Sequence, residues 1–239
     1  MSPAPIRRVR IRALFVISLC TVLVTIGSVW ASRQQAGAPS RQRSSRFSTT
    51  PFLVPDKGSI VPEASTITVN STSDVANGTD GLCTLREAIT AANSNAASGV
   101  TAGECAAGSG GSDTINLATL TGTINLTAAL PDITSSMTIT GPGSAQLTVR
   151  RDTGGDYRIF TVTGGVVSIS GLTVTNGKAA IGPPANSGGA GSGGGGILNS
   201  GTLTLTDVTV TANEAGAGGL GITGTGGAGG NGGGISNNG

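Results

Sequence analysis

The sequence has no histidine, three cysteines, 3% aromatic and 11% charged residues, and these scarcities close off several chemistries in its 239 residues. Without an imidazole there is no Ser-His-Asp or Cys-His nucleophile, no His-ligated zinc and no histidine general base. With few aromatics, a core must be built from Ile, Val, Leu and Thr, which are strand formers. Proline is also scarce, at 10 residues, and the 41 glycines follow no three-residue period, so a collagen-like triple helix is excluded. A hydrophobic share of 37% argues against wholesale disorder. The length suits one domain or two small ones.

Negative charge is missing from the start of the chain. No acid precedes Asp56, whereas Arg7, Arg8, Arg10, Arg12, Arg33, Arg41, Arg43 and Arg46 supply eight of the fourteen bases. From Asp56 onward six bases face twelve acids, a net charge of −6. The whole-chain value of +2 therefore does not describe the folded part, and nucleic acid is not an expected partner.

Residues 1–31 read as an export signal. Arg7 to Arg12 form a positive segment, and an uncharged apolar run follows from Ala13 to Ala31. Val29-Trp30-Ala31 offers a small-residue cleavage site before Ser32, and the alternative is an uncleaved N-terminal anchor, the only membrane contact expected. Leu19 directly before Cys20 argues against lipid attachment there. Residues 32–62, rich in Ser, Arg, Gln and Pro without an apolar period, read as a disordered linker.

Residues 63–113 form a distinct N-terminal region. In an exported chain Cys83 and Cys105 are an even pair suited to a disulfide; two separately buried thiols are the alternative. The run Thr84 to Asn93 reads as a short helix with Asn93 as its stop. Thr84 and Glu87 have capping-box spacing, and Leu85, Ala88, Ile89 and Ala92 fall on one apolar face. That role accounts for Glu87, and Arg86 reads as locally paired or solvated.

From residue 114 to 239 the texture is short alternating runs with apolar residues on one face and Thr, Ser or Asn on the other. Examples are Met137-Thr138-Ile139-Thr140, Leu172-Thr173-Val174-Thr175 and Val208-Thr209-Val210-Thr211. Internal similarity recurs at unequal offsets: Ser168–Thr175 with Thr204–Thr211 at 36, Gly194–Gly201 with Gly232–Gly239 at 38, and Met137–Gly141 with Val167–Gly171 at 30. Such spacing suits stacked strands joined by loops of varying length. Of the 41 glycines, 22 lie in residues 182–239, where they read either as disorder or as turn residues supplying positive φ. No phosphate-loop motif and no calcium-binding nonapeptide accompanies them. No cofactor or metal is expected.

Cys83-Thr84-Leu85-Arg86-Glu87-Ala88-Ile89 resembles the signature of the CSLREA domain family of exported bacterial proteins, with Thr in place of the family's Ser. Ile67 to Asn70, Asp80-Gly81-Leu82, Asn93 and Cys105 are similar to that family as well. Gly-Gly-Gly-Ile-x-Asn resembles half of the repeat of polymorphic outer-membrane proteins; the other half, Phe-x-x-Asn, is represented only by Val210 to Asn213, without the Phe. The resemblance covers about residues 65 to 239. It implies an all-β fold, a right-handed parallel β-helix or solenoid, with one short N-terminal capping α-helix whose Leu85, Ile89 and Ala92 plug the first coil. Because the second Gly-Gly-Gly-Ile unit has just begun at Gly239, the chain also reads as a fragment of a longer protein.

Three functions follow as expectations. The first is a structural or adhesive protein outside the cell or on its surface, with polysaccharide or another cell-surface ligand as partner. The second is a polysaccharide lyase or glycoside hydrolase, for which the best local cluster is Arg150-Arg151-Asp152 with Asp156 and Arg158; Asp207 and Lys178 stand alone. The third is ice or crystal-surface binding through rows such as Thr173/Thr175 over Thr209/Thr211, although β propensity alone places Thr outward and no third matching row is visible. The first is preferred, with no catalytic residue assigned.

Overall fold

A computed structural model describes residues 63–239. The export segment 1–31 and the linker 32–62 lie outside the described residues. Ten strands and one helix follow in the order β1 (Thr66–Thr68), α1 (Leu85–Ser94), β2 (Asp113–Asn116), β3 (Gly122–Leu126), β4 (Met137–Thr140), β5 (Leu147–Arg151), β6 (Phe160–Val162), β7 (Val166–Thr175), β8 (Ile197–Asn199), β9 (Thr202–Thr211) and β10 (Ile235–Asn237).

Every strand pair is parallel, and the internal similarities are registers. Met137 pairs with Val167, Val167 with Leu203, and Ile197 with Ile235, so the offsets of 30, 36 and 38 each bring like residues side by side. Alternation then sorts the faces. Ile67, Ile115, Ile139 and Ile169 form an aliphatic ladder with no solvent exposure, continued by half-buried Leu205 on β9. Burying each such side chain is worth about 1.5–3 kcal/mol, which fixes the register against a one-residue slip.

The expected all-β, right-handed parallel β-helix with an added cap is not what the chain forms. The described residues are mixed. Strands dominate, but α1 contributes Leu85, Ala88, Ile89 and Ala92 to the same core as Ile67 and Ile115. The parallel strands make one curled, half-barrel sheet of seven, in the order β1-β2-β4-β7-β5-β3 with β9 also on β7, and a separate sheet of three, β10-β8-β6. The reason lies in β7 and β9. Each continues for ten residues where the sequence pattern suggests two short strands, so two faces merge instead of standing as separate sides. The first half of β7 pairs with β4 and its second half with β5, while β9 follows it along its whole length. The chain bends between the halves at Gly171, where φ is +64°. A Cβ there would lie 2.6 Å from the Gly141 carbonyl oxygen, so glycine serves both the left-handed backbone and the close approach.

The late glycine-rich loops are packed, and mostly for a reason other than positive φ. Four segments hydrogen-bond through their backbones in two ladders. In one, Ser192 N–H donates to Ala180, Gly216 to Ser192 and Gly230 to Gly216; in the other, Gly189 donates to Pro183, Gly219 to Gly189 and Gly227 to Gly219. A Cβ at Gly216 would stand 1.9 Å from the Ala180 oxygen, and one at Gly227 1.9 Å from that of Gly189. Close contact of backbones, rather than turning, is what these glycines supply.

Candidate functional site

The N-terminal region is knitted around α1. Thr84 is extended and accepts from Glu87 N–H, while its own N–H donates to the Glu87 carboxylate at 3.0 Å, completing a capping box. The other Glu87 oxygen accepts from Asn77 N–H at 2.7 Å. A cavity of about 230 Å³ opens beside these groups, lined by Ala76, Asn77, Gly78, Glu87, Thr90 and Ser98. Both Glu87 oxygens are already held by the protein, so this carboxylate is structural. The helix ends at Asn95, left-handed at φ 55°, two residues beyond the expected stop. Asn93 instead donates to the Asp132 carbonyl and accepts from Thr134 N–H, tying the helix to the segment before β4.

Cys83 and Cys105 form a disulfide, 22 residues apart in sequence. Cys83 lies directly before the helix cap, and its N–H donates to the Asn70 side chain. Arg86 is neither free nor solvated. Its guanidinium pairs with Asp74 at 2.9 Å and donates to the carbonyls of Ala128 and Ala129. Asp74, with 3% side-chain exposure, also accepts from Thr127 N–H and Oγ1. Sequence reasoning passed over Asp74, because its partners lie 12 and 53 residues away and no local pattern marks them. It also passed over Asp113, fully buried and held by Ser65 N–H and by Ser109.

The charged residues that would serve an enzyme are dispersed onto structural partners. Arg150 bonds Asn125 and Asp152; Arg151 bonds the carbonyls of Asn176 and Gly155; Arg158 bonds those of Gly193 and Gly194. Asp156 faces Lys178 at 3.4 Å. Asp207 accepts from Ser144 Oγ at 2.9 Å. Tyr157, 9% exposed, places its hydroxyl within 2.6 Å of the carbonyls of Leu126 and Thr153, which share its one proton, and burial raises its pKa above the ordinary 10.0.

What the strand register does assemble is rows of short polar side chains. Thr173 and Thr175 stand beside Thr209 and Thr211, and the row extends through Thr148 and Arg150 to Thr123 and Asn125. Across the corner the outward residues of β1, β2, β4, β7 and β9 form five further rungs, from Thr66 and Thr68 to Thr204 and Thr206. The pairing of Thr173 and Thr175 with Thr209 and Thr211 follows from the repeat at an offset of 36, whereas the partners contributed by β3 and β5 are marked by no repeat. Compared with known proteins, the chain matches no family model, no curated protein and no solved structure.

Proposed function

We propose that this is an exported, CSLREA-type protein that acts by contact rather than catalysis, holding an extended polar surface, such as a glycan, against its outward sheet faces. The observation that carries this reading is the in-register stacking of Thr, Ser and Asn along successive parallel strands. Many equivalent hydroxyls, each both donor and acceptor, suit a repetitive ligand bound by many weak bonds. The Cys83–Cys105 bridge supports an oxidising compartment outside the cytoplasm.

An enzymatic reading finds less support, because among the residues considered for it Arg150 and Asp152 bond each other, Asp156 pairs with Lys178, and Arg151 and Arg158 are spent on backbone carbonyls. The test is co-sedimentation of the purified protein with insoluble neutral and acidic polysaccharides, together with assay of the supernatants for new reducing or unsaturated ends. Binding without new ends is expected. New ends would overturn the contact reading.

A further inference from the structure

The face formed by β1, β2, β4, the first half of β7 and the first half of β9 is a two-dimensional grid. One row is Thr66, Thr114, Thr138, Ser168 and Thr204; the other is Thr68, Asn116, Thr140, Ser170 and Thr206. Parallel pairing without offset sets the rungs about 4.8 Å apart, and two residues along a strand separate the rows by about 6.7 Å. Between the rows, pointing inward, run Ile67, Ile115, Ile139 and Ile169, all fully buried. The buried ladder holds the outward groups in place before any ligand arrives, so little ordering cost remains for binding.

The grid's chemistry narrows the ligand. None of its ten residues is charged and none is aromatic. An anionic polymer would meet no cation here, and a sugar ring would find no aromatic face to stack on. Among the described residues, the side-chain hydrogen bonds of the grid are those of Asn116, which accepts from Ala118 N–H, and Ser170, which donates to the Ile139 carbonyl at 3.4 Å. The remaining hydroxyls are left for an external partner. The face across the corner also lacks aromatics but differs in two respects: it carries Arg150 bonded to Asn125, and its Thr173 hydroxyl is spent on the Ser144 carbonyl.

We propose that this grid binds the ordered water lattice of ice. The lattice is neutral, repeats in two directions and presents donors and acceptors that Thr and Ser hydroxyls can answer either way. Its waters are already fixed, so bridging them costs less ordering than recruiting liquid water. The inference rests on the contact reading above and names the surface that this one face selects.

The experiment uses the disulfide-intact full chain and measures thermal hysteresis, inhibition of ice recrystallisation and partition into growing ice. Activity in all three is expected. Thr138→Lys, at the central rung, is expected to abolish it; Thr148→Lys, the same change across the corner, is expected to leave it intact. Thr206→Lys, on the exposed edge strand, is expected to cut it at least severalfold, and it supplies a second variant should the central one fail to melt like the parent. Absence of ice activity in the parent, or equal loss in Thr148→Lys, overturns the inference. Binding to an insoluble neutral glycan without ice activity overturns it while leaving the contact reading standing; binding to neither overturns both.

Discussion

Gly171 stands beside Asp207 where β7 and β9 turn the same corner, between the pairs Ser170–Thr206 and Leu172–Val208, and both residues are left-handed, at φ 64° and 49°. Asp tolerates that conformation and here bonds Ser144; alanine at 171 would combine the left-handed penalty with a backbone clash. Gly171→Ala is expected to lower stability by about 1–3 kcal/mol in urea unfolding. An unchanged midpoint would mean that the corner is not built as described.

Ile89 is fully buried in the core shared by α1, β1 and β2. Ile89→Ala is expected to cost about 2–5 kcal/mol, and Ile89→Asp more, since it adds an unpaired buried charge. Thermal melting followed by circular dichroism reads both. A parent-like melting temperature for the Asp variant would separate the helix from the core.

Asp74 and Arg86 form a mostly buried ion pair, with side-chain exposures of 3% and 15%. Removing one partner leaves the other charge and the Thr127 donors without their acceptor. Asp74→Ala should cost about 3–5 kcal/mol, whereas replacing an exposed pair such as Arg150–Asp152 should cost under about 1 kcal/mol. Equal effects of the two changes would contradict the burial of the first pair.

Reduction of the Cys83–Cys105 bridge frees a 22-residue loop in the unfolded chain. On the chain-entropy model this lowers stability by about 3 kcal/mol. Comparing denaturation midpoints with and without reductant, with thiol titration to confirm opening, reads the effect directly.

Tyr157 gives a pH dependence of definite sign. Its pKa in the folded chain is raised above 10.0, chiefly by burial, so the folded state keeps the proton that the unfolded state releases first. The stability this provides is complete below pH 10 and is lost as pH rises through the folded value. Tyr157→Phe is expected to flatten that alkaline decline, and to lower stability at neutral pH by about 0.5–1.5 kcal/mol through loss of the one hydroxyl donor that the two carbonyls share. An alkaline limb identical to the parent's would assign the decline to another group.

Local patterns in the sequence reached the strands and the helix start but stopped short of the assembly. Met137–Thr140 is bounded as its alternation suggests, and Thr84 begins α1 because a cap is chemistry of neighbours. Val166–Thr175 reads as two strands because Gly171 looks like a break; hydrogen bonding to β4, β5 and β9 carries the chain through it. Ile197–Asn199 and Ile235–Asn237 are too short and too glycine-flanked to register as strands, although their repetition is plain. Of the outward grid, the rungs of β4, β7 and β9 follow from the repeats at offsets of 30 and 36, but those of β1 and β2 do not, since no repeat ties these strands to β4.

The two ladders of glycine-rich backbone make those loops a shared framework. Ala180, Ser192, Gly216 and Gly230 lie one above another, so inserting a single residue in any of the four segments would put its carbonyls out of step with its neighbours. Such a lobe can be lengthened only by matched changes in several segments at once. Its amides, held in ladders, should also exchange with solvent far more slowly than a composition suited to a flexible tether would suggest.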